Sequence, residues 1–401
     1  MPEKALTSAL HPERADDRAS ASSLAEHVAA AAAMVPTLRE RSARCEELRS
    51  LPPETVADIT AAGFPRLAQP TRFGGLGFDV NDASEVAREL GRGCCSTSWV
   101  SALYSGHNFL VSMFDLTAQE EYWGSSEDVL CCTASAVARL EWEAEDGGVR
   151  INGRFRFSSG CDFADWIILF IPAGMCLVPR SEFRIDDDWF VMGLRGTGSK
   201  AIVVDNIFVP SHRIVSFEVL AKGTSPGAEL YLGNPFYKLP SSISLTPLLL
   251  GPIVGMAEGL IELFDERVVK RVDPHTMIRA CERPGTQLRF AEATAAVDAA
   301  ALIFRDNNLR LAHLGSLPEM PTMADRARVR RDVTYAVKLC VQAANLLLEA
   351  GDASGMHDSQ LIQRWGRDIH MGGLQFMATW DEPALAYSQV RWGLQTQAHT
   401  L

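Results

Sequence analysis

Two spacings of apolar residues divide this chain into three parts. Residues 23–47, 54–62, 80–91 and 96–114 repeat apolar positions every three or four residues, as helices with one face toward a core do. Residues 128–215 change period. The segment 150–157 alternates, while 166–178 and 201–209 are longer apolar runs rich in Ile, Val and Phe, bounded by Gly, Asp or Pro. That pattern predicts antiparallel β structure. From residue 245 the helical spacing returns, over 253–269, 286–308, 324–350 and 361–377. Four long helices with short connections predict an up-down bundle. Some, such as 291–304, are apolar on more than one face, which predicts burial against a second subunit. The expected fold class is α+β, mainly α. A helical N-terminal domain covers 1–120, a central β domain of one barrel-like or sandwich layer covers 121–230, and a C-terminal four-helix bundle covers 231–401.

Local signals refine this outline. Ser23 and Glu26 have capping-box spacing and predict that the first helix starts there. Residues 1–21 are charged and predict a mobile arm rather than a signal peptide. The most apolar stretch, 243–256, contains Pro247 and Pro252 and predicts a buried loop and helix start, not a membrane span.

Composition narrows the class of function. The 401 residues are 47% hydrophobic and 22% charged, ordinary for a soluble globular protein. A net charge of −12 argues against nucleic acid or an anionic membrane as partner. Nine cysteines are scattered, with Cys94-Cys95 and Cys131-Cys132 adjacent and no Cys-x-x-Cys, which predicts reduced thiols in a cytoplasmic enzyme. His and Cys do not cluster at ligand spacing, so no metal site is expected.

The β segment carries two distinctive blocks. One is Gly153-Arg-Phe-Arg-Phe-Ser-Ser-Gly160. The other is Trp189-Phe-Val-Met-Gly-Leu-Arg-Gly-Thr-Gly-Ser199, followed by Phe208-Val-Pro-Ser-His-Arg213. The second block is Gly-rich, but it lacks the Gly-Lys-Ser/Thr of a P-loop and the strand–helix setting of a dinucleotide fingerprint. It reads as a structural turn. With no dinucleotide fingerprint, the chain is not expected to reduce its own cofactor with NAD(P)H. Both blocks inside an otherwise helical chain resemble the acyl-CoA dehydrogenase fold. More closely, they resemble its two-component flavin-dependent monooxygenases, over roughly residues 51–393.

That resemblance implies a set of site residues. Ser158 and Ser159 lie where a Ser-Gly turn packs against the flavin ring, and the residues leave the choice between them open. Thr133 and Ser135 belong to a small polar segment touching the flavin and the oxygen site. His107, in Tyr104-Ser-Gly-His-Asn108, lies beside flavin and substrate, where a neutral imidazole can donate to an oxygen. Arg195 and Ser199 are possible contacts to the cofactor tail. Arg271 and Arg289 lie where related proteins contact flavin phosphates, often across a subunit interface. Arg367-Asp368 matches a recurrent pair, read here as a structural ion pair. Aromatic hydroxylases often carry a phenol-activating histidine about two turns later; this chain has Gln375 there, and His370 points elsewhere. No carboxylate stands between Asp368 and Asp381, so the base of an acyl-CoA dehydrogenase has no evident counterpart.

The resemblance therefore implies a monooxygenase that takes reduced flavin, FADH2 preferred and FMNH2 possible, from a separate NAD(P)H:flavin reductase. O2 is the cosubstrate, and oxygen transfer runs through a flavin C4a-hydroperoxide to an electron-rich aromatic ring. Indole or an indole-containing natural product is the preferred substrate, because its ring needs no deprotonation. Phenol hydroxylation, amine or sulfur oxidation, and acyl-CoA dehydrogenation are the alternatives. A homotetramer or dimer is expected.

Overall fold

The computed structural model describes residues 15–396 and 398, with side chains from Leu24 onward. Of the charged arm expected over 1–21, residues 1–14 lie outside the described residues and the remainder is helical. Helix α1 (Ala15–Leu48) is already under way at Ser23, so the Ser23/Glu26 spacing marks no helix start. The capping box that forms belongs to α3 (Val80–Gly91), where Asp79 and Asp82 satisfy each other's backbone N–H. Between them, α2 (Pro53–Ala61) begins on a proline, whose missing N–H costs nothing in a first turn. Helix α4 (Cys95–Val111) is buried at every residue but Leu103, and α5 (Leu116–Trp123) leads into the β region. The boundary expected at residue 120 thus falls inside α5.

The central domain has two layers, not one. The strands are β1 (Cys131–Ala134), β2 (Ala136–Glu145), β3 (Gly148–Ser158), β4 (Trp166–Ile171), β5 (Gly174–Pro179), β6 (Arg184–Asp186), β7 (Lys200–Pro210) and β8 (Ile214–Val215). They form two four-stranded sheets, ordered β1-β4-β5-β8 and β2-β3-β7-β6. Only the β1–β4 pairing is parallel. Inward-facing Ile151, Phe155, Ile167, Leu169, Ile202 and Val204 make the core between the sheets. The apolar run over 166–178, expected as antiparallel β structure, folds back on itself as the antiparallel β4–β5 hairpin. One layer was expected because a single chain of alternating segments does not reveal which strands pair.

Short helices α6 (Phe217–Lys222), α7 (Pro226–Leu230) and α8 (Ser241–Ser244) lead to the C-terminal bundle. There α9 (Pro247–Val268), α10 (Pro284–Ser316), α11 (Met323–Gly355) and α12 (Leu361–Gly373) share one core with Trp99 and Leu194. A fifth helix, α13 (Asp381–Arg391), packs on α11 and was not expected. Helix α9 starts at Pro247, so most of the segment expected as loop is helical. It is long and apolar enough to cross a membrane, but 83% of its apolar window is buried within the protein.

The Gly-rich block is the clasp between the β domain and the bundle. Leu194 takes a left-handed conformation (φ 51°), and its backbone N–H donates to Asp368 Oδ1 on α12 at 2.6 Å. Arg367 donates to the Met192 carbonyl and pairs with Glu46 of α1 at 2.8 Å. The expected Arg367–Asp368 ion pair is thus two separate contacts, because adjacent residues on a helix point in different directions. Gly193 has no room for a side chain: a Cβ there would sit 2.2 Å from the Arg367 carbonyl oxygen. Gly193→Ala should therefore destabilise the fold by about 1–3 kcal/mol, since backbone must shift to admit the methyl. Gly233→Ala, where a Cβ meets nothing within 4 Å, should leave the thermal midpoint unchanged. Equal midpoints for the two variants would refute a tight clasp.

Candidate active site

Helix α4 reaches the β domain at two points one turn apart. Tyr104 Oη donates to the Gly160 carbonyl at 2.7 Å. His107 Nδ1 lies 2.7 Å from the Cys131 carbonyl, and its Nε2 lies 3.1 Å from Thr133 Oγ1. These contacts assign the protons. A carbonyl oxygen only accepts, so Nδ1 carries the hydrogen. Burial lowers the His107 pKa to about 4, against a raising contribution from the Cys131 carbonyl, so the ring is neutral at pH 7. Neutral Nε2 must then accept, and Thr133 is the donor. Both ring nitrogens are therefore committed within the protein. The free imidazole donor expected at His107 is not what the geometry presents; Thr133 instead presents an oxygen whose remaining capacity is to accept.

A strand irregularity places the serine. In strict alternation Phe155 and Phe157 would share one face of β3 and Ser158 the other. The register with β7 shifts between Phe155 and Ser158, and Phe157 adopts φ 65°. Phe157 turns outward, 57% exposed, while Phe155 and Ser158 both point inward, fully buried. Ser158 Oγ has no hydrogen-bond partner, and its polar neighbour is the Cys132 sulfur, a weak acceptor whose own hydrogen is directed at the Trp166 carbonyl. A buried hydroxyl without a partner costs about 1–3 kcal/mol unless something satisfies it, and a flavin ring edge is a suitable group.

Ser159 is different. Its Oγ lies 2.7 Å from Ser199 Oγ, Ser199 lies 2.6 Å from Thr197 Oγ1, and Thr197 donates to the Leu194 carbonyl at 2.8 Å. The terminal carbonyl orders the chain: Thr197 donates to it, Ser199 to Thr197, and Ser159 to Ser199. With Gly160 N–H donating to Thr197 O at 2.8 Å, the hydroxyl chain ties the two sequence blocks together. Ser159 and Ser199 hold the turn, and Ser158 is the one with a hydroxyl to offer. Ser135, half-buried, is the residue between β1 and β2, where the chain passes from one sheet to the other.

The remaining residues stand elsewhere. Gln375 lies in the loop after α12, close behind Gly372, which packs on Trp99 of α4 and Ile253. Its Oε1 accepts the Met377 N–H at 2.6 Å, within its own turn. His370 Nε2 contacts Asn345 Oδ1 at 2.9 Å. Arg195 is half-exposed, 3.9 Å from Glu46. It lines a cleft of about 540 Å³ with Met192, Arg364 and Arg367. A cleft of about 700 Å³, lined by Asp115, His212 and Ser216, contains none of the expected residues. Arg271 pairs with Asp352 and Arg289 with Glu349, both acids in the last turns of α11. The fold thus gathers His107, Thr133, Ser158 and Ser159, and separately gathers Arg271 and Arg289. Tyr104 was missed, although it lies three residues before His107 on the same helical face. Among the described residues no group of three or more His, Cys, Asp or Glu could hold a metal.

Comparison with known proteins bears on this arrangement. Residues 22–123 match the family model described as acyl-CoA dehydrogenase, N-terminal domain, and residues 248–380 match its C-terminal domain. The flavin-dependent monooxygenase oxygenase subunit HsaA of Rhodococcus jostii (strain RHA1) is 36% identical over 351 residues, covering 85% of this chain and 91% of the relative. The oxygenase component of FADH(2)-dependent resorcinol hydroxylase from Rhizobium sp. (strain MTP-10005) is 32% identical over 377 residues, covering 89% and 91%. The structure of XiaF from Streptomyces sp. with FADH2 and glycerol superposes with a TM-score of 0.88 at 26% identity, over 96% of this chain and all of that one.

The neutral histidine has a measurable consequence. His107 is protonated at about pH 6.5 when unfolded and only near pH 4 when folded. The unfolded state binds the extra proton between those values, so this residue's stabilising contribution falls as pH drops from about 6.5 to about 4. The span corresponds to about 3 kcal/mol. The difference in thermal midpoint between the wild type and His107→Asn should shrink progressively as pH is lowered across that window. A constant difference would mean that His107 takes up its proton as readily in the folded state as in the unfolded one.

Proposed function

The chain belongs to the oxygenase components of two-component flavin-dependent monooxygenases, built on the acyl-CoA dehydrogenase fold; from that premise we propose that it hydroxylates an electron-rich aromatic ring, with indole or an indole-containing compound preferred. It works with a separate flavin reductase. FADH2 is the preferred form, since the resorcinol hydroxylase is named for it and XiaF was solved with it. Reduced flavin, when bound, supplies the electrons that activate dioxygen for transfer to the ring.

The chain's own residues would then hold and orient. Ser158 offers the buried hydroxyl to the flavin ring edge, and Ser159 and Ser199 keep that turn in place. Thr133, its proton given to His107, accepts a hydrogen bond from a donor on the substrate. An indole N–H is such a donor and needs no base. Buried α4 and the sheet behind it exclude water from one side of the site. Arg271 and Arg289, gathered at the end of α11, are suited to the cofactor's phosphates once their carboxylate partners are displaced or shared. The exposed apolar side chains of Leu374, Trp392 and Met277 favour a homotetramer or dimer that covers them.

One observation carries the preference for indole: neither candidate position holds a base. His107 is neutral with both nitrogens engaged, and Gln375 is an uncharged amide whose oxygen is taken by its own turn. At those two positions a phenol that must lose its proton meets only a weakly basic imidazole and an amide. Phenol hydroxylation is the second reading, favoured by the identity with a resorcinol hydroxylase; there Thr133 would accept from the phenol O–H.

Two measurements test these assignments. Ser158→Ala should weaken reduced-flavin binding by about 0.5–1.5 kcal/mol with an unchanged thermal midpoint, while Ser159→Ala should lower the midpoint. The reverse pattern would exchange their roles. Supplied with a generic flavin reductase and NADH, the protein should form more hydroxylated product per NADH from indole than from hydroxyphenyl substrates. A clear preference for the phenol, with a pH profile reporting a general base, would make the second reading correct.

A further inference from the structure

Neighbours cover helix α4 on three sides. Ser98 Oγ donates to the Ala87 carbonyl of α3 at 2.5 Å, and Ser105 Oγ accepts the Ala68 N–H at 3.2 Å. Toward the bundle, Leu248 of α9 fills the space that a Cβ on Gly106 would need, and Trp99 lies against Gly372 of α12. Toward the β domain, Tyr104 reaches Gly160, and His107 reaches Cys131 and Thr133. Leu103 alone among the residues of α4 is not buried, although it packs against the bundle core that holds Trp99. A half-buried leucine midway along an otherwise buried helix marks an opening that enters the protein. Small-molecule sites are openings of this kind, apolar in their lining with a few polar groups.

Helical geometry gives the direction of the opening. At about 100° per residue, Leu103 stands about 40° from Trp99 on one side and about 40° from His107 on the other. It therefore faces the seam between the bundle and the β domain. Ser96, two turns earlier and within about 20° of Leu103, is covered by Gly196 of the Gly-rich turn. His107, one turn later, is covered by β1. The seam is thus closed at both ends of a stretch of about 16 Å and open at Leu103 between them. The residues next to Leu103 reach the groups already placed at the site. Tyr104 hydrogen-bonds the turn that follows Ser158 and Ser159, and His107 holds Thr133. Of all these residues only Leu103 and Thr133 are partly exposed, the one apolar and the other a hydrogen-bond acceptor.

We propose that Leu103 is a specificity-determining residue: the aromatic substrate places its N–H or O–H donor at Thr133 and its apolar edge against Leu103, whose isobutyl group sets how bulky an edge fits. The proposal rests on the reading of this chain as a reduced-flavin aromatic hydroxylase. Thr133 fixes the polar end of the ring and with it the orientation. Apolar contact is non-directional, so Leu103 selects by size and not by donor atom. One methylene more or less in an apolar pocket changes selectivity by about 10–200-fold.

The test compares indole with 6-ethylindole, which extends the apolar edge and keeps the N–H, using the full chain, a generic flavin reductase and NADH. In Leu103→Ala the ratio of kcat/KM for 6-ethylindole to that for indole should rise on the order of 10-fold, and in Leu103→Phe it should fall by a similar factor. Affinity for reduced flavin should be unchanged in both variants. The same two compounds, titrated into each variant without reductase or NADH, should show the same shift in the ratio of their dissociation constants. A wild-type ratio in both variants would overturn the proposal. Weaker flavin binding at an unchanged ratio would also overturn it, since flavin rather than substrate would then lie against Leu103. Should Leu103→Ala fail to fold, Leu103→Phe decides, because the open side of the helix admits the larger ring. A wild-type protein that binds both indoles, with the expected shifts in the variants, but hydroxylates neither them nor a phenol would remove the hydroxylase reading alone. One that binds neither would remove both.

Discussion

The hydrogen bond from the Leu194 amide to Asp368 Oδ1 is the contact on which the three parts of this molecule depend. The carboxylate is buried, and desolvation raises its pKa to about 7 despite the stabilising amide. It sits on α12, in the bundle, and reaches into the Gly-rich turn of the β domain. Arg367 beside it ties the same turn to Glu46 of the N-terminal helix. One turn is thus held by all three domains. The turn in turn holds Thr197 and Ser199, whose hydroxyls hold Ser159, which fixes the position of Ser158 next to it. The Ser158 hydroxyl, which we propose meets the cofactor, is thus placed by a chain of hydrogen bonds that begins at Asp368 in the bundle.

The site is polarised by the same logic of proton bookkeeping. Carbonyl oxygens at Cys131 and Leu194 can only accept, and each sets the direction of the hydrogen bonds that lead to it. On one side this leaves Thr133 as an acceptor; on the other it leaves Ser158 with an uncommitted hydroxyl. Burial keeps His107 neutral, which is what allows the first of these. An oxygenase has use for such groups because they align reactants without themselves exchanging protons with solvent.

Several features tolerate local cost for the sake of that geometry. Phe157 and Leu194 take left-handed backbone conformations that non-glycine residues avoid, at about 1–3 kcal/mol where strain is real. The first turns Ser158 inward, and the second aims an amide at Asp368. Arg330 leaves two nitrogens unpaired inside the bundle. Of these departures, Phe157 lies directly beside Ser158, the hydroxyl proposed to meet the cofactor.

Much of this was legible along the chain. The change from helical to alternating spacing and back located the β domain, and the paired Ser-Ser-Gly and Gly-Leu-Arg-Gly-Thr-Gly-Ser blocks carried the family resemblance. Periodicity reports which residues face a core, and short motifs report turns, so both are local properties. What the sequence could not express was partnership. Two sheets rather than one layer, Arg367 paired with Glu46 rather than with Asp368, and Gln375 bonded to its own turn all join residues that periodicity cannot connect. The choice between Ser158 and Ser159 shows the limit most sharply. The two are neighbours of identical chemistry, and only a bulge in β3, together with the hydroxyl chain to Leu194, gives one of them a free hydroxyl and the other a structural bond.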